Sequence, residues 1–330
     1  MMKKTALALS MLTGLVLGQI LGQAAQAQVI ELKVGNTTPA SGNQSISANE
    51  FARRVNAQMA GKVHVTVFDN SQLGNEREML QKLKIGTLDL SQPSTIMSTV
   101  SPEFGLFDMP YLIKDRAHFQ RFLTEVFWTD IAPKAEAKGY KIVAVYENGF
   151  RHITNNKRAI NTPDDLKGIK IRIPRGVWRQ KMFEAYGASP APLEFNELFV
   201  ALQSGVMDGQ ENPLPNIWGG KLNEVQKYLT LTNHVYTPSF LTAGLERWKK
   251  LPPDIQAQIE KIGRETQAWA FDSAEKEDVA VLEKLKTAGI AVNTANRESF
   301  VAASKPVYEL FGKEVPGGQA LIDKTLALAK

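Results

Sequence analysis

The chain of 330 residues contains no cysteine. This absence excludes disulfide bonds, thiolate metal ligands and cysteine nucleophiles, so packing has to supply the stability of the fold. The formal net charge of +5 at pH 7 is too small for this length to predict nucleic-acid binding. Neither a Gly-x-Ser-x-Gly elbow nor a phosphate-binding loop occurs, and the histidines show no close metal spacing: His64, His118, His152 and His234. We therefore expect no cofactor, no bound metal and no catalysis.

Long apolar runs are also missing after the first 27 residues, where no stretch approaches the roughly 18 apolar residues of a membrane span. At the start of the chain, Lys3 and Lys4 precede an apolar run over residues 6–21, followed by Ala25-Gln26-Ala27. This pattern is typical of a secretory signal peptide. We predict cleavage after Ala27 and an exported, periplasmic protein.

The mature sequence predicts an α/β fold. Alternating apolar residues predict strands over residues 30–34, 63–67, 88–91, 142–146 and 169–173, separated by helical or loop segments of crossover length. A helical pattern begins at Pro252-Pro253-Asp254 and continues to about Thr287, long enough to brace two lobes. Because single cores stop growing near about 250 to 300 residues, the length predicts two lobes with a cleft between them.

Two segments share one pattern at the same offsets. In each, an amphipathic helix reaches a glycine and then an aspartate at the start of a strand, with Gly86 and Asp89 in the first copy and Gly205 and Asp208 in the second. Chance similarity between two ordinary helices would explain this, and so would two lobes of similar build. We favour the second interpretation, because one copy lies in each half of the chain.

An arginine lies on the polar side of the predicted strand 169–173. Ile169, Ile171 and Ile173 alternate onto one face, and Lys170 and Arg172 onto the other, so burial of the isoleucines would point the guanidinium away from its own core. A guanidinium is a planar fork that matches a carboxylate and stays charged at any relevant pH. Arg172 is therefore a candidate carboxylate ligand, although a solvated surface arginine would show the same spacing.

Eight short strings occur in order along the chain: QLGNERE (72–78), FDMP (107–110), NGFR (148–151), DLKG (165–168), IRIP (171–174), ALQ (201–203), DGQENP (208–213) and EVQKY with LTNH (224–228, 231–234). Together they resemble the substrate-binding proteins of tripartite ATP-independent periplasmic (TRAP) transporters, in the C4-dicarboxylate-binding-like family. The resemblance covers nearly the whole mature chain. It implies two α/β lobes of the type II periplasmic binding protein architecture, with a ligand cleft and a long lobe-spanning helix. We divide the chain into lobe 1 (28–148 and 238–277) and lobe 2 (149–237 and 278–330).

The same resemblance implies that an organic acid binds in the cleft. Four residues match ligand positions of the family: Arg172 for the carboxylate, Arg151 as an assisting arginine, Asn212, and the aromatic Phe195. The residues themselves leave alternatives open. Arg151 could pair with Glu211 or Glu197 as a structural ion pair, and Asn212 could cap the turn that Pro213 sets.

Further candidates concern specificity. Trp178 lies shortly after the predicted strand 169–173 that carries Arg172. There it could stack on a ligand or pack against Phe183 and Tyr186. Three other candidates follow strand ends, where ligands of open α/β sheets bind: Thr37, Ser94 and Thr95. In some members of the family that the sequence resembles, the segment corresponding to 91–95 contributes an acidic residue that binds an amino group of the ligand. Ser94 or Thr95 in that neighbourhood favours contacts with a hydroxyl group or a second carboxylate.

The function that follows is a periplasmic receptor that captures a small organic acid and delivers it to TRAP membrane subunits, without transforming it. Two alternatives stay open. The same closed form could be presented to a signalling kinase, which would make the protein a sensor, or the protein could be an exported hydrolase or lyase. The ligand is equally open among dicarboxylates, sugar acids, hydroxy acids and aromatic acids.

Overall fold

The computed structural model describes residues 28–330, so the predicted signal peptide lies outside the described residues. The strands are β1 (Ile30–Gly35), β2 (Val63–Phe68), β3 (Leu90–Ser91), β4 (Tyr140–Phe150), β5 (His152–Asn155), β6 (Lys170–Ile173), β7 (Ser189–Pro192), β8 (Gly209–Asn212), β9 (Tyr228–Leu231), β10 (Tyr236–Gly244) and β11 (Ala291–Thr294). They form sheet 1, of order β2-β1-β3-β10-β4, and sheet 2, of order β11-β9-β5-β8-β6-β7. The five predicted strands are all present, although β3 has only two residues.

Helices cover both sheets. They are α1 (Asn43–Gln58), α2 (Glu76–Ile85), α3 (Arg116–Phe122), α4 (Ala132–Glu136), α5 (Val177–Ala185), α6 (Phe195–Gln203), α7 (Leu214–Gly219), α8 (Leu245–Trp248), α9 (Pro253–Thr287), α10 (Arg297–Ala303), α11 (Lys305–Glu314) and α12 (Gly318–Ala327). A π-helix spans Leu123–Ile131, and 3₁₀ turns span Thr95–Thr99, Pro102–Asp108, Pro163–Leu166 and Leu222–Glu224. Among the described helices, none combines the length and apolar character that a membrane span requires.

The chain passes between the two sheets three times, once along α9 and twice at neighbouring points. Strand β4 ends at Phe150 in sheet 1, and β5 begins at His152 in sheet 2. The return runs from β9 to β10, whose first residue Tyr236 pairs with Phe150. The backbone N–H of Arg151 donates to the carbonyl of Val235 at 2.9 Å, which ties the two crossings together. Paired crossings of this kind form a hinge between two bodies.

Helix α9 extends along both sheets. It begins at Pro253, as the sequence predicts, because proline is suited to the first helical position. Ile255, Ile259 and Ile262 of its first half pack into the core of sheet 1. Val281 and Leu285 near its end belong to the apolar cluster that includes β9 of sheet 2. The predicted helix over both lobes is therefore present.

The lobe boundaries remain a proposal. Sheet 1 draws its strands from the residues assigned to lobe 1 together with the ends of β4 and β10, which cross the proposed boundaries by two residues each. Helix α12 was placed in lobe 2, but it packs against the 3₁₀ turn Pro102–Asp108 and the π-helix, which lie on the sheet 1 side. The C-terminal segment thus contacts both sides.

The repeated pattern of the sequence has a structural counterpart. Helices α2 and α6 both end before a glycine in the left-handed region, with φ of 76° at Gly86 and 73° at Gly205. The aspartate that follows accepts a hydrogen bond from the neighbouring parallel strand: Asp89 from the N–H of Lys33, and Asp208 from the N–H of Lys170, both at 2.9 Å. The two halves therefore contain the same helix–glycine–strand unit, as favoured from the sequence.

Candidate ligand-binding site

A small cavity of about 30 Å³ lies between the two sheets. Its lining includes seven of the eight residues predicted from the sequence: Thr37, Ser94, Thr95, Arg151, Arg172, Phe195 and Asn212. The remaining lining residues are Thr38, Gln44, Glu76, Asn148, Pro174 and Asn216. Both sheets contribute walls, so the cavity is a site that exists only where the two bodies meet.

Arg172 reaches the cavity from the middle of β6. Its side chain is almost fully buried, and Nε donates to the carbonyl of Leu193 at 2.7 Å. The guanidinium carbon lies 6.0 Å from the ring centre of Phe195. Burial, followed by repulsion from Arg151, lowers the pKa of Arg172 to about 10, so it stays charged near neutral pH. Among the described residues no carboxylate lies within 4.0 Å of it, which leaves its two terminal nitrogens for an anion.

Arg151 is placed differently, because the protein itself supplies its counter-ion. Its Nε donates to Glu211, and Nη2 donates to the Glu211 backbone carbonyl at 2.6 Å and to Asn212 Oδ1 at 3.1 Å. Arg179 Nη1 binds the same carboxylate at 2.7 and 2.8 Å. Burial alone would raise the pKa of Glu211, but the attraction of the two arginines outweighs it and holds that pKa below its usual range. The structural ion pair considered for Arg151 is therefore present, although Arg151 also lines the cavity.

His234 completes this buried network, and His152 is buried close by. His234 Nε2 lies 3.2 Å from Glu211, and its Nδ1 lies 2.7 Å from the hydroxyl of Thr232. Burial lowers the pKa of His234, and it lowers the pKa of His152 to about 3. Both imidazoles are therefore neutral near pH 7.

Asn212 and Phe195 line the sheet 2 wall. The amide of Asn212 donates to Gln210 and accepts from Arg151, so its side chain is held within the sheet and its position does not depend on a turn cap at Pro213. Phe195 is the first residue of α6 and lies against Gly220, where an added methyl group would come within 3.2 Å of the ring. Both side chains are thus fixed before any ligand enters.

The sheet 1 wall is polar. The hydroxyl of Ser94 donates to the carbonyl of Pro238 at 2.6 Å, and the buried hydroxyl of Thr95 has no hydrogen-bond partner among the described residues. Thr37 follows β1, where Asn36 Oδ1 accepts from the backbone of Thr38 at 3.1 Å and holds the turn. An unpaired buried hydroxyl is costly, so Thr95 is suited to a polar ligand group.

Glu76 was not predicted as a site residue. It is the first residue of α2, whose N-terminus is capped by Asn75 and Glu78, and Oε1 accepts from the backbone N–H of Ser94 at 3.1 Å. Burial and the nearby Glu194 raise its pKa to about 7, against the lowering effect of the Ser94 hydrogen bond. The sequence signal for Glu76 was its place in the QLGNERE string. That signal was ambiguous, because a glutamate is also a common residue in the first turn of a helix.

Three amide side chains were missed as well: Gln44, Asn148 and Asn216. Asn216 Nδ2 donates to Asn148 Oδ1 at 3.1 Å, which links α7 of the sheet 2 side to β4 of sheet 1. Asn148 lies in the NGFR string, so the resemblance offered a signal for it. Gln44 and Asn216 lie in helices outside every matching string, and their sequence offered none.

Trp178 does not line the cavity. It is almost fully buried on α5, where its ring lies 5.0 Å from that of Phe311, and a methyl group added at Gly105 would come within 2.1 Å of it. Its surroundings are those of a packing residue: Phe311 and Gly105 are neighbours, and Trp178 belongs to the same buried cluster as Phe183 and Tyr186. Lys181 Nζ lies 5.5 Å from the centre of the Trp178 ring.

Two helix-covered sheets joined by paired crossings, with a buried and unpaired guanidinium between them, define the class of two-lobed solute-binding proteins. The family model described as "Bacterial extracellular solute-binding protein, family 7" matches residues 34–314. The chain therefore belongs to this family, which confirms the resemblance found in the eight strings. Members of the family are receptors rather than enzymes.

Individual relatives agree with this assignment. The 2,3-diketo-L-gulonate-binding periplasmic protein YiaO of Escherichia coli (strain K12) is 31% identical over 294 residues, covering 88% of this chain and 90% of that protein. The sugar acid binding protein DctPAm of Advenella mimigardefordensis, in complex with galactonate, has a TM-score of 0.87 and 30% identity, covering 92% of this chain and 98% of that one. A TRAP solute-binding protein of Sulfurospirillum deleyianum with bound succinate has a TM-score of 0.86 and 32% identity, covering 91% and 99%. The predicted two-lobed α/β architecture is thereby confirmed.

Proposed function

We propose that this protein is an exported receptor that captures a small organic acid and delivers it to the membrane subunits of a TRAP transporter. The observation that carries the proposal is Arg172, a buried and charged guanidinium without a carboxylate partner among the described residues, at the wall of the cavity between the two sheets. Burying such a charge is costly unless an anion pairs with it. The relatives named for gulonate derivatives, galactonate and succinate support the same ligand class.

Two hydrogen bonds from Arg172 to a carboxylate would contribute roughly 1.5 to 3 kcal/mol each. Micromolar affinity requires about 8 kcal/mol, so hydrogen bonds from the surrounding polar side chains have to supply the remainder. Those side chains come from both sheets. A ligand that contacts both walls therefore favours the closed arrangement of the lobes over an open one, by the contacts that it makes only when they are closed.

We expect ligand binding to close the lobes. The cavity of about 30 Å³ has room for only about two water molecules, since each needs roughly 10 to 15 Å³. A ligand must therefore enter while the walls are apart. Small-angle scattering should give a smaller radius of gyration with a saturating organic acid than without it, and the acid at about 100 times its dissociation constant should add about 2.7 kcal/mol of stability in a thermal-shift assay. Identical dimensions with and without a stabilising acid would contradict closure.

The remaining parts of the proposal have separate tests. Intact mass of the protein recovered from the periplasm gives the cleavage site, which we expect after Ala27. Recovery of the acid unchanged after incubation with the pure protein would exclude a hydrolase or lyase. The relatives reported above are named for binding and not for signalling, so no observation favours the sensor hypothesis.

A further inference from the structure

We infer that the ligand is a hydroxylated monocarboxylate, and that Glu76 is the residue that disfavours acids with a second carboxylate. This inference rests on the proposed function, because it assumes that an organic acid binds at Arg172. The similar structures do not decide the matter, since one holds galactonate and another holds succinate. The charges and hydrogen-bonding groups of this cavity decide it.

The first step is the charge of the walls. Three buried arginines lie at or behind the cavity wall: Arg151 and Arg172 line the cavity, and Arg179 shares the counter-ion Glu211 with Arg151. Two buried carboxylates neutralise part of this charge, because Glu211 pairs with Arg151 and Arg179, and Asp108 pairs with Arg179 at 2.7 Å. These ion pairs engage Arg151 and Arg179, and Arg172 is the one of the three that has no ion pair among the described residues. A single ligand carboxylate can pair with Arg172, and a second one would find no unpaired arginine among these three.

The second step is the position of Glu76. Its side chain is held at the cavity by the hydrogen bond from the Ser94 N–H to Oε1. Its other oxygen, Oε2, has no hydrogen-bond partner among the described residues. A ligand hydroxyl can donate to this oxygen when the group is ionised, and can also bind it when the group is protonated. A second ligand carboxylate would meet like charge there, or would require Glu76 to remain protonated.

The third step is the character of the other walls. The side chains that complete the lining are neutral hydroxyls and amides: Thr37, Thr38, Gln44, Thr95, Asn148 and Asn216. Thr95 Oγ1 and Asn216 Oδ1 are buried without partners among the described residues, and each can bind a ligand hydroxyl. Phe195 and Pro174 are the apolar members of the lining, which is too little apolar surface for an aromatic acid. Several hydroxyl groups would satisfy these walls.

The test compares two acids of equal chain length by titration calorimetry, D-erythronate and succinate. With the wild type, erythronate should bind at least tenfold more tightly. Glu76→Gln keeps an acceptor for the Ser94 N–H but removes the charge and supplies an amide donor. We expect this variant to bind succinate more tightly, so the preference for erythronate should shrink at least tenfold.

Glu78→Gln is the matched control, because Glu78 lies on the same helix but outside the cavity and its capping role tolerates glutamine. Its preference should stay within about twofold of the wild type.

The outcomes separate this inference from the proposed function. Tighter binding of succinate than of erythronate by the wild type, with both lost in an Arg172 variant, would overturn the monocarboxylate inference and keep the receptor. An unchanged preference in Glu76→Gln would remove Glu76 from the specificity. Failure of both acids, and of a wider panel of carboxylates, to bind would contradict the proposed function itself.

Discussion

Replacing Arg172 with lysine is expected to lower the affinity for the organic acid at least tenfold while the fold stays intact. In the wild type, Nε of Arg172 donates to the Leu193 carbonyl, which orients the fork and leaves both terminal nitrogens for the ligand. Lysine keeps the charge but has one nitrogen, which cannot hold Leu193 and also bind a carboxylate at two points. A tenfold loss corresponds to about 1.4 kcal/mol, less than one charged hydrogen bond.

Titration calorimetry with the acid that stabilises the wild type most would measure this loss. Arg158→Lys is the matched control. Arg158 also donates to a backbone carbonyl, that of Lys167 at 3.4 Å, but it is exposed and lies outside the cavity. The control should bind like the wild type. Wild-type affinity in Arg172→Lys, with an unchanged circular dichroism spectrum, would show that the carboxylate is held elsewhere.

Local sequence patterns predicted the elements but not the pairings between them. The alternation of residues 169–173 predicted strand β6 and the exposed position of Lys170. It did not reveal that Arg172 would be buried, because that depends on the cavity wall formed by residues far away in the chain. The ion pair of Arg151 likewise depends on the register in which β5 pairs with β8, which the local sequence does not determine. Strand β5 pairs with β8 so that Ile153 lies opposite Glu211, which brings a carboxylate 60 positions away onto Arg151.

The place of Glu76 in the cavity lining was not predicted, because its local sequence has a sufficient explanation without a ligand. Asn75, Glu76 and Glu78 form a normal helix start, with a capping box and first-turn acids, so local chemistry explains all three without a ligand. Only the packing of α2 against the segment at Ser94 separates Glu76, which is partly buried at the cavity, from Glu78, which is exposed and lies outside it. For Trp178 the sequence suggested a ligand contact that the structure does not show. Its position shortly after β6 favoured the cavity, but tertiary packing places its side chain outside the lining.

Replacing Glu211 with glutamine is expected to have the largest effect on stability. Glu211 is fully buried and is the shared counter-ion of Arg151 and Arg179. Its neutralisation leaves two buried guanidinium groups near each other with Asp108 as the remaining partner. Breaking a buried ion pair from one side costs about 3 to 5 kcal/mol, because a charge is left uncompensated. Urea denaturation of the wild type and the variant, at pH 7 and without ligand, would measure the difference.

The same substitution should change how stability depends on pH. Because the arginines hold the folded-state pKa of Glu211 below its ordinary value of 4.5, its contribution is fully present above about pH 4.5 and is lost as the pH falls toward the folded-state value. The difference in unfolding free energy between wild type and variant should therefore shrink between about pH 5 and pH 3. Glu246→Gln is the control, since its pair with Lys249 is exposed and contributes about 0 to 1 kcal/mol. A difference that stays constant over this range would mean that Glu211 is not held ionised by Arg151 and Arg179, and that its role is one of packing alone.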